Sequence, residues 1–253
     1  MLIQGFYDIN YLPLQTDMAN EFFQFKQFTI HQQLCAMKVG TDGTLLGSWA
    51  QASNGACRIL DIGTGTGLIA LMMAQRFPEA QVTGIDIDAG AVRQATENAM
   101  ESPFKDRITI LQADVTMMED ADGFDAIVCN PPFFDQSLTC PDQQRTEARH
   151  TISLSYRQLM ESAFRLLKTD GRLSVIIPTD CRSRLESEAH LTGFFITRTC
   201  SVQTTPRKVP KRYMIEFRKQ PVKEADTECG ILETSPQVRS AWYQQLINEF
   251  YIK

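Results

Sequence analysis

Arg58-Ile59-Leu60-Asp61-Ile62-Gly63-Thr64-Gly65-Thr66-Gly67 is the stretch whose reading decides the fold. A short apolar segment runs into glycines at every second position, and the apolar stretch from Leu68 to Phe77 follows at once. Strand, tight glycine turn and helix in that order make half of a βα repeat. The glycines let a ligand approach backbone N–H groups at the positive end of the helix, where side chains would block it. Outward from this turn the alternation continues. Strands are predicted at Gln81 to Asp86, Ile108 to Gln112, Phe124 to Cys129, Arg172 to Pro178, Phe194 to Val202 and Arg212 to Phe217. Helices are predicted near Ala89 to Met100, Tyr156 to Leu167 and Arg182 to Leu191, with a short strand near Ile231 and a last helix from Gln237 to Phe250. Such alternation predicts an α/β fold with a doubly wound, mostly parallel sheet and right-handed crossovers. Ahead of it, residues 1–20 read as a loose extension to one domain spanning 21–253, with 21–57 an N-terminal lid segment and 58–253 the core. The phenylalanines at 22, 23, 25 and 28 predict a strand or hairpin in that lid.

Composition narrows the function classes. With 253 residues, 43% of them hydrophobic and 22% charged, the chain suits a globular α/β domain. No apolar run approaches the ~18 residues of a membrane span, and a cytoplasmic location is expected. Seven cysteines contain no Cys-x-x-Cys pair and read as reduced thiols, while three isolated histidines predict no metal site. Net charge is −5, but unevenly spread. Residues 140–223 hold 16 Lys/Arg against 8 Asp/Glu, a net of +8, which leaves −13 for the rest. A basic segment on an acidic chain points to a polyanionic partner.

The carboxyl ends of the strands carry the chemistry. Gly65-x-Gly67-x-x-Ala70, with Asp86 following, satisfies a dinucleotide fingerprint and equally suits S-adenosylmethionine. Asp61, at the tip of the first core strand, is placed to receive an ammonium group, and Asp114 to accept from an adenine amine. Each is also a residue type that caps helices and forms turns. After the strand ending at Cys129 comes Asn130-Pro131-Pro132-Phe133. Two prolines end the strand and stiffen the turn, which offers an amide, a carbonyl and an aromatic ring to a planar group bearing an exocyclic amine.

In this order, Asp61 to Gly67, Asp86, Asp114 and Asn130 to Phe133 resemble the class I S-adenosylmethionine-dependent methyltransferases that act on amino nitrogens. The wider pattern of Phe25-Lys26-Gln27-Phe28, Met37 to Gly43, Asn130 to Phe134 and Gln144-Arg145-x-x-Ala148-Arg149 is similar to the bacterial tRNA1(Val) (adenine-37)-N6-methyltransferases. The resemblance implies a seven-stranded Rossmann-like methyltransferase sheet, S-adenosyl-L-methionine as cofactor and tRNA as partner; no membrane or metal is expected, and the sequence leaves the oligomeric state open, with a monomer favoured. It assigns Asp61, Gly63, Gly65 and Gly67 to the methionine end of the cofactor, Asp86 to the ribose and Asp114 to the adenine. Lys38, Thr41 and Asp42 would close the site. Asn130, Pro131, Pro132 and Phe133 form the catalytic turn, with Phe133 standing where many N6-adenine enzymes have tyrosine. Arg145, Arg149, Arg207, Lys208, Lys211 and Arg212 are the expected phosphate contacts. Guanine N2 methylation of ribosomal RNA and glutamine N5 methylation of a protein keep the same chemistry with another substrate. An NAD-dependent oxidoreductase satisfies the glycine fingerprint but leaves the Asn130 turn unexplained.

Overall fold

The computed structural model describes residues 21–35, 38–131 and 154–252. Strand β1 (Phe22–Gln24) and β2 (Thr29–His31) form the hairpin expected near the start, followed by helix α1 (Thr41–Trp49). The core is β3 (Arg58–Ile62), α2 (Leu68–Arg76), β4 (Gln81–Asp86), α3 (Ala89–Glu101), β5 (Ile108–Gln112), β6 (Phe124–Cys129), α4 (Tyr156–Leu166) and β7 (Leu167–Pro178). Helix α5 (Arg182–Thr192) leads to β8 (Phe195–Gln203), β9 (Arg212–Arg218) and β10 (Asp226–Ile231). A small hairpin, β11 (Glu233–Ser235) with β12 (Val238–Arg239), precedes helix α6 (Ala241–Ile247).

The sheet runs β10-β8-β9-β7-β6-β3-β4-β5. Strands β7, β6, β3, β4 and β5 are mutually parallel, and β9 lies antiparallel between β7 and β8. Among the described residues the sheet therefore has eight strands where seven were predicted. The added one is β10, parallel to β8: a short strand was expected near Ile231, its last residue, but outside the main sheet. Its sequence, Asp-Thr-Glu-Cys-Gly-Ile, lacks the apolar alternation that marks a strand. Its pairing rests on the backbone ladder and on Arg198 of β8, whose guanidinium meets Glu228 at 2.9 Å and Asp226 at 3.8 Å. Helix α6 is likewise shorter than the predicted Gln237 to Phe250. Gln237 sits in a left-handed turn at φ 66°, Val238 and Arg239 are taken by β12, and Ser240 caps the helix by accepting from Tyr243 N at 3.0 Å.

Two apolar clusters, one on each face of the sheet, make the fold doubly wound. One gathers the N-terminal hairpin, α1 and α2 around Trp49, Leu71 and Met72; the other joins α4 and α5 to Ile127, Val175 and Phe217. Helix α2 is buried from Leu68 to Ala74 because α1 covers its outer side. The approach is close: a Cβ on Gly47 would lie 2.7 Å from Met72 Sδ and 3.0 Å from Met72 Cβ. The N-terminal segment is tied into the core through polar groups. Asn98 of α3 accepts from His31 N and donates to the carbonyls of His31 and Thr66, and Gln94 accepts from Leu34 N.

Candidate active site

The direction in which successive strands are added to the sheet reverses between β3 and β6. From β3 the parallel strands proceed to β4 and β5 on one side, while β6 and β7 lie on the other. In open α/β sheets that switch point leaves a crevice at the carboxyl ends of the strands. The glycine turn fills its floor.

Gly63, Gly65 and Gly67 have φ of 69°, 55° and 81°, backbone conformations that side chains resist. A Cβ on Gly63 would project into open space, whereas one on Gly67 would meet Ala95 Cβ of α3 at 3.3 Å. Gly63 thus leaves room above the turn, and Gly67 seats α2 against α3. The turn is held from below by Gly63 N and Thr64 N donating to Ile85 O, each at 2.9 Å.

Asp61 is completely buried. Its Oδ2 accepts from Thr64 Oγ1 at 2.7 Å and Ala70 N at 3.1 Å, while Oδ1 has no partner. Burial pushes its carboxyl up to about 7; the two hydrogen bonds oppose the rise and the charge of Asp86 adds to it. An orphaned carboxylate oxygen in such a place has strong demand for a cationic donor. Asp86, at the end of β4, accepts from Gly65 N with Oδ2 and from Asp88 N with Oδ1, each at 3.0 Å. Asp114 is exposed beyond β5, and its Oδ1 accepts from Thr116 N and Thr116 Oγ1.

Asn130 follows β6, one residue beyond Cys129, with Pro131 buried behind it. Its Oδ1 is buried without a partner. Six buried side-chain polar atoms among the described residues are unpartnered, and the Asp61 and Asn130 oxygens are the two at these strand ends. They follow adjacent strands, since β3 and β6 pair as Ile62 with Cys129. The Cys129 thiol between them is buried, which raises its pKa well above the usual value, so it packs and does not ionise. Pro132, Phe133, Arg145 and Arg149 lie outside the described residues.

The residues expected to close the site divide. Lys38 and Thr41 are exposed, whereas Asp42 in the first turn of α1 accepts from Arg212 Nε at 2.7 Å. The structure thus brings together an acid expected at the cofactor and a cation expected at the phosphates. Cys35 lies near the same acids: burial first, then Asp86 and Asp88, push its thiol up to about 11. Thr64 and Asn98 escaped the sequence reading; Thr64 lies within the glycine motif, while nothing local marks Asn98.

Much of the basic segment serves the fold. Arg157 pairs with Glu161, Lys168 with Asp125, Arg172 and Arg218 with Glu216, and Arg182 with Glu186. Arg165 is spent on the carbonyls of Val115, Thr116 and Met118. Arg207, Lys208 and Lys211 are exposed and pair with no acid among the described residues. They occupy the β8–β9 loop, and because Arg212 pairs with Pro178 at the end of β7, that loop stands on the same sheet edge as Asn130.

This sheet, with a glycine turn, an orphaned acid and an amide at its carboxyl edge, is that of a small methyltransferase domain, and the family model described as methyltransferase small domain matches residues 37–205. The chain is 47% identical over 236 residues to the tRNA1(Val) (adenine(37)-N6)-methyltransferase of Bacteroides thetaiotaomicron, covering 93% of this chain and 99% of that protein. It is 44% identical to the Porphyromonas gingivalis protein of the same name, over 92% and 96% of the two chains. The chain belongs to the tRNA1(Val) (adenine(37)-N6)-methyltransferase family. Among solved structures, an Agrobacterium tumefaciens protein described as a predicted O-methyltransferase shares the fold with a TM-score of 0.65 at 21% identity, over 83% of this chain and 96% of that one.

Proposed function

We propose that this protein transfers a methyl group from S-adenosylmethionine to N6 of adenine 37 in a valine tRNA. Family membership supports the reaction and substrate. The observation that carries the site assignment is the pair of buried, unpartnered acceptors, Asp61 Oδ1 and Asn130 Oδ1, at the ends of neighbouring strands.

The residues fit the cofactor. Asp61 Oδ1 is an anionic acceptor for an ammonium group, Gly63 leaves space over the turn, and Asp86 and Asp114 retain acceptor capacity beyond their backbone bonds for hydroxyl and amine donors. S-adenosylmethionine, when bound, supplies an electrophilic methyl group on a sulfonium. The remaining chemistry is the chain's. The N6 lone pair of adenine is delocalised into its ring and nucleophilically weak. Asn130 Oδ1 and the Pro131 carbonyl accept its two hydrogens, draw the nitrogen toward a tetrahedral shape and stabilise the positive charge that develops there. No base with a shifted pKa is needed for that step. Phe133 stacks on the base, which must leave its own stack to reach the turn. A single-stranded RNA loop meets that demand at low cost.

The test is methyl transfer from labelled cofactor to unmodified tRNA, followed by mapping of the modified base. Asn130→Ala should lower kcat by about 10²–10³, with the cofactor Kd, measured by calorimetry, unchanged. Retained transfer would remove Asn130 from the reaction.

A further inference from the structure

The β8–β9 loop, Thr204 to Lys211, carries a feature the cofactor site does not explain. Val209 is 79% exposed, in the middle of the sequence Arg207-Lys208-Val209-Pro210-Lys211. An isolated exposed apolar residue is ordinary; this one is held. At the loop's start Glu233 N donates to Thr204 O at 2.9 Å, and Lys208 N closes a turn on Thr205 O at 3.0 Å. At its end Thr179 Oγ1 donates to Pro210 O at 2.6 Å, Thr179 N donates to Lys211 O, and Lys211 N donates to Val202 O. Pro206 and Pro210 fix their own φ, and a β-branched side chain has few rotamers. Val209 is therefore presented rigidly between a turn and a clamp.

Its surroundings select the partner. Arg207, Lys208 and Lys211 are exposed cations without acidic partners among the described residues, so the loop attracts a phosphate backbone while its tip offers an apolar point. Register fixes its place. Strand β7 continues three residues past Val175, the partner of Cys129, to Pro178, which pairs with Arg212. At ~3.3 Å per residue and ~4.8 Å per strand, the loop's base stands on the order of 14 Å from the tip of β6. That span reaches nucleotides flanking a base held at Asn130.

We propose that Val209 is a positioning residue, an apolar wedge that enters the gap left when the target adenine turns out of its stack and keeps a flanking base from closing it, while Arg207, Lys208 and Lys211 hold the phosphates on either side. The proposal rests on the tRNA reading given above. Side chains inserted at base steps elsewhere act in this way, unstacking neighbours without reading sequence.

The experiment compares wild type with Val209→Ala on an unmodified tRNA transcript and on the same transcript with an abasic site beside the target adenine. Alanine at an exposed loop position leaves folding intact, verified by thermal melting. The expected result is a kcat lowered about tenfold on the intact transcript, unchanged tRNA Kd and cofactor Kd, and recovery to near the wild-type rate on the abasic transcript, where the gap already exists. Wild-type kcat in the variant on intact tRNA would overturn the wedge, as would a deficit that persists on abasic tRNA. A wild-type protein that methylates neither transcript would overturn the tRNA reading itself.

Discussion

Asp61 shows how one side chain both costs and equips the protein. Its folded-state pKa, about 7, lies above the ordinary 3.8, so the folded chain binds this proton more tightly than the unfolded chain does. The contribution to stability is then greatest below pH 3.8 and declines as pH rises through about 7, where the buried carboxyl is half ionised, with the loss complete above that. Binding an ammonium group reverses the preference, because Oδ1 gains the cationic partner it lacks. Cofactor affinity should be flat above pH 7 and fall by about tenfold per pH unit well below it, since binding must expel a proton. Calorimetry across pH 5.5–8.5 checks this, with proton release read from buffers of different ionisation enthalpy. Asp61→Asn should bind weakly and without the pH slope; a slope retained in that variant would assign it to another group. The sequence shows Asp61 at a strand tip before the glycines. It does not show that one oxygen is consumed by Thr64 and Ala70 while the other is left, because that depends on how the turn closes.

At the scale of elements, the packing of α1 on α2 is set by Gly47. Alanine is the better helix former by up to ~1 kcal/mol, yet here its Cβ would press on the buried Met72 at 2.7–3.2 Å. Overpacking of a filled core costs ~1–3 kcal/mol, so Gly47→Ala should destabilise by about 1 kcal/mol in urea unfolding. Gly55→Ala, whose Cβ would meet nothing within 4 Å, is the control and should be neutral or slightly stabilising. The central elements were legible because β3 and β6 are buried apolar runs and α2 follows glycines; their predicted limits at Arg58, Ile62, Phe124 and Cys129 agree with the structure. The peripheral ones were not. Strand β7 begins at Leu167, five residues before the predicted Arg172, because its pairing with β6 shifts register around Lys168 to Gly171. A short strand was expected near Ile231, but the place of β10 in the sheet depends on Arg198, twenty-eight residues before it begins, and no local pattern announces that partner.

For the whole molecule, charge placement decides how RNA meets an acidic protein. A net charge of −5 repels polyanions at long range, so attraction must come from the cations the fold leaves unneutralised. Sequence showed a basic segment but not which members would be consumed, since Arg172 and Glu216, for example, meet only once β7 and β9 pair. Arg207, Lys208 and Lys211 remain on the rim. Replacing all three with alanine should weaken tRNA binding across sequences and flatten the plot of log Kd against log salt by about 2, at ~0.7 for each phosphate left unneutralised on single-stranded RNA. An unchanged slope between 50 and 200 mM salt, concentrations of about the usual range for such titrations, would place the phosphate-binding cations elsewhere.

Strand β10 has a consequence beyond completing the sheet. It is an edge, with a row of backbone donors and acceptors open to any other extended chain. Asp226 and Glu228 share the single cation Arg198, which leaves a net negative charge along it, and Gly230 near its end is covered by the Trp242 ring, which a Cβ there would strike. A second molecule adding its own β10 would bring like charges together before its ladder could close. At this edge, charge and a poor β-forming composition therefore disfavour fibre-like self-association.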